Sequence, residues 1–481
     1  MIVKNEIKTF KIVGCLFLLL FAFLYAKMDV SMSGAEATRF ALVESIAQNN
    51  VFHIEQTQFR TVDKVIANNH IYSDKPPALS WTIGMIMKVP MKVLQLNFYD
   101  NYHLLIWLVN FVFFGAINIL IFLWLFNYLI KSSFAGSAKL KFLLAFSSVV
   151  CTWILSYSVV LNNHTPAALA VVGMMVVLYK YHKQNSYKSA LAAGFACGAL
   201  GALDLPGALC FAIATTIAVF LDTKEKANRI KNTCWVIGSG LVMLLFYLGL
   251  NYYAYGTIMP LYIAGKTGTF EPTVYMDGIL AYFWNTLFWT RGLFSYQPFL
   301  LAAIPGFILY WKKEKSGWGA LCLMVASIAT CVLYNTITCE FGGYAYGFRY
   351  LILIIPVLWY WAAIFFIKMK SKVLKYSLLT ILLGWGAATS FVGSYAPYCV
   401  SFEGFRSPVG HFTRTLRSSF FGNLLVFSYE NSSTSFLTTA LIKHYGCFVA
   451  YKHLHTSAII LKKVELLPKI NEDVKKGVFG K

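Results

Sequence analysis

The chain has 481 residues, 58% of them hydrophobic and 17% aromatic, with 13% charged and a mean hydropathy of +0.61. Single soluble cores stop growing at roughly 250–300 residues, so one water-soluble domain cannot hide this much apolar surface, and a polytopic membrane protein remains. The formal net charge of +21, from 41 Lys+Arg against 20 Asp+Glu, would suggest nucleic acid in a soluble protein, but the positions of those residues turn that reading away.

A transmembrane helix needs about 20 mostly apolar residues. Such stretches run near 10–26, 102–129, 142–161, 165–179, 189–203, 206–221, 233–254, 294–311, 317–338, 350–367 and 376–395. They predict an all-α polytopic fold of about 11 spans. With the N-terminus cytoplasmic, 20 of the Lys+Arg fall in six short alternate segments, from Lys4, Lys8 and Lys11 through to Lys368, Lys370, Lys372 and Lys375. That alternation is the positive-inside pattern, and it makes the +21 mainly an orientation signal. The spans imply a transmembrane domain over 1–395. A long first extracytoplasmic loop covers 28–100, a second long one covers 255–293, and 396–481 forms an extracytoplasmic tail or small domain.

The first span is short, and bulky Phe23, Leu24 and Tyr25 stand where a cleavage site would need small residues, so it reads as an uncleaved anchor. The ten Cys are scattered without metal-like spacing; Cys399 and Cys447 in the tail can pair if the compartment is oxidising.

In the first loop, Phe40, Val43, Ile46 and Ala47 recur at helical spacing, which predicts an amphipathic helix on the outer membrane surface holding Asp29 and Glu36 at the lipid–water boundary. The bland account of Glu36 is a capping box with Ser33, or an ion pair with Arg39. Asp63 follows in a polar stretch. Then comes Tyr72-Ser73-Asp74-Lys75-Pro76-Pro77, where two prolines set an extended entry into the next helix and Lys75 stands at the membrane face. Lys75 can snorkel to any headgroup or place a point charge on a lipid phosphate. Later outer ends add Asn162-Asn163-His164-Thr165-Pro166, Asp204-Leu205-Pro206, Arg291-Gly292 and Gly347-Phe348-Arg349-Tyr350. A lone His or Asp at a helix end is more often a cap than a catalyst. All of these groups nevertheless fall on one side. Arg291 and Arg349 are two of only three basic residues in the outer loops between the third and eleventh spans, and arginine holds phosphate through paired hydrogen bonds.

This constellation resembles the GT-C superfamily of large bacterial membrane glycosyltransferases, the group containing protein O-mannosyltransferases and the lipid A aminoarabinose transferase. The matching pieces are Glu36-Ala37-Thr38-Arg39-Phe40-Ala41, Tyr72-Ser73-Asp74-Lys75-Pro76-Pro77, Asn163-His164-Thr165-Pro166, Arg291-Gly292-Leu293-Phe294, and Gly342-Gly343 with Gly347-Phe348-Arg349-Tyr350, spread over about 29–350. The resemblance implies an inner-membrane enzyme whose donor sugar rides on a polyprenyl phosphate, whose acceptor is a lipid, glycan or protein, and whose active site faces outward. Carried over, Glu36 takes the place of the acid acting on the acceptor, with Asp29 or Asp63 open as partners because Ala37 replaces the commoner second acid. Lys75 takes the place of the phosphate contact and Arg349 that of a late basic residue. Tyr72, Asp74, Arg39, His164 and Arg291 are the accompanying substrate-binding candidates. A divalent metal is left open, with Asp29, Glu36, Asp63 and Asp74 as oxygen ligands.

The rival readings are a transporter or flippase of a lipid-linked or anionic substrate, and an O-antigen polymerase or ligase. A transporter keeps ionisable groups at the bilayer midplane, whereas these spans are nearly charge-free. A polymerase or ligase would carry its large catalytic loop later in the chain. The topology itself is testable: reporter fusions after Gly136 and Lys313 should read cytoplasmic, and fusions after Asn69 and Ala396 external. A cytoplasmic signal at Asn69 would overturn the site as drawn.

Overall fold

The computed structural model describes residues 2–31, 34–133, 137–260, 278–289, 291–311, 317–338, 342, 345–398, 419–445, 450, 454–455, 457–459 and 465–476. Ser33 of the expected capping box, Cys399 and Cys447, and 261–277 of the second long loop lie outside them.

The chain opens with α1 (Ile2–Tyr25), then a first loop holding α2 (Ala35–Glu44), the antiparallel pair β1 (Lys64–Ala67) and β2 (His70–Ser73), and α3 (Pro77–Val93). Then come α4 (Tyr102–Ser133), α5 (Ala138–Val150), α6 (Trp153–Tyr157), α7 (His164–Gln184), α8 (Tyr187–Leu203), α9 (Leu205–Asp222) and α10 (Lys226–Tyr255). The second half holds α11 (Ile279–Phe288), α12 (Leu293–Tyr296), α13 (Ala303–Tyr310), α14 (Gly317–Ile337), α15 (Arg349–Lys368) and α16 (Lys372–Tyr395), followed by the tail helices α17 (Ser419–Asn431), α18 (Phe436–Tyr445) and α19 (Leu466–Lys475).

Among the described residues, six helices are long and apolar enough to cross a membrane: α4, α9, α10, α14, α15 and α16. The other expected spans correspond to helices that are shorter, less apolar or broken. The stretch 142–161 breaks at Cys151, and a new short helix starts where the Thr152 hydroxyl accepts the Ile154 N–H at 3.3 Å. The stretch 294–311 breaks at Gln297, because Pro298 has no N–H to give and forces the residue before it out of the helical region (φ −132°, ψ 63°).

Hydrogen bonds between connecting segments show which helix ends lie together. The Lys27 backbone N–H reaches Val159 O (3.0 Å) and its ammonium reaches Tyr395 O (2.7 Å), while Asn163 donates to Leu203 O (2.8 Å) and Asn68 to Tyr255 O (3.3 Å). The C-terminal ends of α1, α6, α8, α10 and α16 therefore meet at one end, with the first loop. At the other end, Asp222 of α9 accepts the Trp318 N–H (3.0 Å) and faces His182 (3.1 Å), and Tyr179 donates to Ser132 O. Tail helix α17 is tied to the bundle, where Asn423 donates to Ala396 O (2.9 Å) and the Tyr296 hydroxyl accepts the Phe420 N–H (3.1 Å).

The first loop differs from the sequence expectation in one respect. All ten residues of α2 are buried, so the helix is enclosed by protein and does not lie with one face on lipid. Its apolar side packs with Phe59, Val65, Ile83 and Met87, and its polar side meets the bundle end through Arg39 and Asn163. A helix buried on both sides needs partners for its charges, and those partners form the candidate site.

Close helix contacts rest on small residues, as is usual where lipid supplies no driving force between helices. A Cβ on Gly194 of α8 would stand 2.0 Å from Val236 O of α10, whereas one on Gly238 of α10 meets nothing within 4 Å. Gly194→Val should therefore destabilise the purified protein by about 1–3 kcal/mol, read as a lower thermal midpoint, while Gly238→Ala leaves the midpoint unchanged or higher.

Candidate functional site

The site begins with a glycine. Gly34 precedes α2 at φ +83°, and a Cβ there would fall 2.7 Å from Asp63 Oδ1, so a glycine lets Asp63 close over the start of α2. The Thr61 hydroxyl fastens the same edge by donating to Gly34 O at 3.1 Å. Asn68 and Asn69, both at positive φ, make the tight turn between β1 and β2. The register pairs Lys64 with Ser73, which sends the next residues outward, Asp63 and Asp74, to the same open end. Lys75 closes that end with its ammonium 3.0 Å from Asp63 Oδ2 and 2.7 Å from Asp74 Oδ2. Burial works against the charge on Lys75, but the Asp74 and Asp63 carboxylates outweigh it and hold the amine above its usual range. Asp74, itself buried, is raised by desolvation. The Lys75 ammonium lies where an ion bridging Asp63 and Asp74 would sit. This pair as arranged holds a lysine and does not fit a divalent metal.

Thr38 of α2 donates to the Ser73 hydroxyl (2.9 Å), and Ser73 Oγ accepts the Lys75 N–H (3.2 Å), which locks α2 to β2. The next residue, Arg39, reaches Ala35 O (2.5 Å) and Asn163 Oδ1 (2.6 Å), tying α2 to the start of α7. Glu36, on the same helix, is 1% exposed. Its Oε2 accepts both the backbone N–H and the hydroxyl of Ser31 at 3.1 Å, and its Oε1 has no hydrogen-bond partner. Arg39 does not bond to it. Desolvation lifts the Glu36 carboxyl to about 7, with the Ser31 bonds pulling the other way.

Across from α2 stands Tyr398, three residues past the end of α16, held where the Tyr346 N–H donates to Pro397 O at 2.9 Å. It is 1% exposed, and its hydroxyl has no hydrogen-bond partner. Burial raises its phenol, with the charges of Arg349, Arg39 and Lys75 pulling it down and that of Glu36 pushing it up. The Arg349 guanidinium lies 5.6 Å from the Tyr398 ring and 5.5 Å from the Tyr350 ring. Tyr350 stacks on Tyr334 at 5.0 Å and receives the edge of His164 at 5.5 Å. His164 Nδ1 stands 3.7 Å from Asp204 Oδ2, and Asp204 Oδ1 accepts the Gly207 N–H and the Tyr334 hydroxyl.

Seven of the residues singled out in the sequence thus converge: Glu36, Arg39, Asp63, Asp74, Lys75, His164 and Arg349. Three stand apart. Asp29 sits at the rim, accepting the Val30 N–H (2.8 Å) and the Tyr102 hydroxyl (2.9 Å), and reaches Glu36 only through its charge. Tyr72 turns its ring edge-on to Tyr255 (5.2 Å) within the apolar cluster behind β2. Arg291 is fully buried, and its carbonyl accepts the Phe348 N–H at 3.2 Å, which steadies the approach to Arg349. Tyr398 was missed from sequence. The only sign was an aromatic residue after Pro397 at the end of the last span, and interfacial aromatics are too common to mark a site.

No protein-family model and no curated protein matches this sequence. The fold, by contrast, matches solved structures. The crystal structure of ArnT from Cupriavidus metallidurans bound to undecaprenyl phosphate superposes with a TM-score of 0.54 at 10% identity, over 94% of this chain and 75% of that one. The apo structure of the same protein gives a TM-score of 0.51 at 11% identity, over 95% and 74%. The chain therefore shares its fold with ArnT.

The raised Glu36 carboxyl has a consequence for stability. The folded state holds the Glu36 proton up to about pH 7, whereas the unfolded chain releases it near 4.3, so stability is lost as pH rises between those values. Glu36→Gln, which cannot ionise, should stabilise the protein above pH 7 by up to about 3 kcal/mol and leave it unchanged below pH 4. Thermal midpoints of both proteins between pH 4 and 8 read the difference. Glu44, lifted by burial to about 7 as well, is present in both and cancels.

Proposed function

We propose that this protein is a membrane glycosyltransferase that moves a sugar from a polyprenyl-phosphate donor to a hydroxyl-bearing acceptor at the extracytoplasmic face. The observation that carries the reading is the Glu36 carboxylate: buried, tuned to about 7, with Oε1 unengaged among the described residues, and acting with Arg39, Lys75 and Arg349 on the same buried Tyr398 phenol. The fold shared with ArnT, whose structure holds undecaprenyl phosphate, supports the donor class.

Displacement at an anomeric carbon requires an activated acceptor, a stabilised leaving group, and the two in line. Glu36 Oε1 takes the acceptor hydroxyl proton, and a carboxyl tuned near working pH is suited to that. The acceptor oxygen bonds to the anomeric carbon as the bond to the phosphate oxygen breaks, and the electron pair leaves with the polyprenyl phosphate. Arg349 and Arg39, which have no carboxylate partner among the described residues, hold the departing phosphate. Lys75, already tied to Asp63 and Asp74, adds charge at its edge. Fixed cations in a water-poor site are worth several kcal/mol of barrier. The Tyr398 hydroxyl donates to a phosphate or sugar oxygen placed among them. A single displacement inverts the anomeric configuration.

A transporter reading finds less support, since the titratable groups cluster at one end of the bundle and a transporter would keep them midway along it. Glu36→Gln and Lys75→Ala should each lower sugar transfer from a polyprenyl-phosphate donor at least 100-fold in proteoliposomes, with expression and topology unchanged. Wild-type transfer should rise with pH through about 7 as Glu36 ionises. Normal transfer by both variants, together with a flat pH profile, would sink the assignment. Mass spectrometry of cellular glycolipids and glycoproteins with and without the gene identifies the product.

A further inference from the structure

A second cluster of ligand-type side chains lies on the first loop, apart from Glu36 and Tyr398. The Ile54 N–H donates to Ile71 O at 2.8 Å and His53 forms a bridge with Tyr72, so residues 52–55 run antiparallel beside β2. In that register His53 faces Tyr72 and Glu55 faces His70, and alternation along the strands puts all four side chains on one face. On that face Tyr72 is buried against Tyr255, while His53, Glu55 and His70 are partly accessible: the Glu55 carboxylate stands 2.5 Å from His53 Nδ1 and 3.0 Å from His70 Nδ1, the imidazole rings stack at 4.6 Å, and Glu55 also accepts the Ile71 N–H at 2.7 Å. One ligand atom from each residue lies within 4.8 Å of the other two.

We propose that His53, Glu55 and His70 bind one divalent transition-metal ion of the zinc class, leaving a coordination position for water. Two imidazole nitrogens and a carboxylate oxygen suit a borderline ion such as Zn²⁺, whereas Mg²⁺ and Ca²⁺ prefer oxygen ligands. A tetrahedral ion with ligands near 2.1 Å needs ligand atoms about 3.4 Å apart. The carboxylate is already that close to both nitrogens, and the stacked rings reach the ion by turning about their soft Cβ–Cγ bonds. The bound ion clamps the strand at 52–55 to β2, whose next residues are Asp74 and Lys75. The site stands independently of the transfer reading, because it involves none of the groups assigned to that reaction.

The test uses the full-length protein in detergent, stripped with a chelator and titrated with Zn²⁺ against a chromophoric competitor. One equivalent should bind at micromolar or tighter affinity and raise the thermal midpoint, Mg²⁺ should do neither, and the double variant H53A/H70A should bind at least tenfold more weakly. If the double variant does not fold, His70→Gln, half exposed in the structure, makes the same comparison alone. Equal Zn²⁺ binding by wild type and variant, equal response to Mg²⁺, or no binding at all would overturn the proposal.

Discussion

Lipid offers a backbone no hydrogen bonds, and that constraint shapes everything else in the molecule. A segment inside the bilayer must satisfy its own N–H and C=O groups as a helix, and charged side chains are expelled to the ends. The polar chemistry of this chain accordingly gathers where helices stop, at the end where α1, α6, α8, α10 and α16 finish and α7 and α9 begin. His164, Asp204 and Arg349 occupy such helix ends, and Tyr398 follows the end of α16. The first loop then folds onto that end as a lid of α2, the β1–β2 hairpin and α3. Enclosing α2 on all sides is what removes Glu36 from water.

Buried charge is costly unless paired, and the site distributes its pairing unevenly. Asp63 and Asp74 share Lys75, an ion-paired triad beside the start of α2. Arg39 spends its donors on a carbonyl and an amide oxygen, and Arg349 lies against two tyrosine rings. Glu36 Oε1 and the Tyr398 hydroxyl are buried without hydrogen-bond partners. They lie near Arg39 and Arg349, which have no carboxylate partner among the described residues. This is the pattern expected where a ligand completes the hydrogen bonding.

The spans, their alternation and the long first loop were legible because lipid imposes long apolar runs and the positive-inside rule marks their flanks. The breaks at Thr152 and Pro298 were less so, since a cap or a proline within an apolar run is outweighed by its neighbours in any window average. Seven of the ten residues singled out in the sequence lie near one another in the structure, and they drew notice as ionisable groups at helix ends and in the first loop. The surroundings of Tyr72 and Asp29 were not legible for a local reason: the Tyr72 ring packs against Tyr255, and Asp29 accepts the Tyr102 hydroxyl.

By itself, the sequence determined that this is a helical membrane protein, and it offered a set of ionisable residues as site candidates. Only the tertiary structure decided that α2 is enclosed, that Lys75 joins Asp63 to Asp74, and that Tyr398, 362 positions after Glu36, feels the charge of that carboxylate. The physical reason is range. Hydropathy and charge placement act along the chain and are written locally, whereas burial and pairing depend on which distant segments pack together.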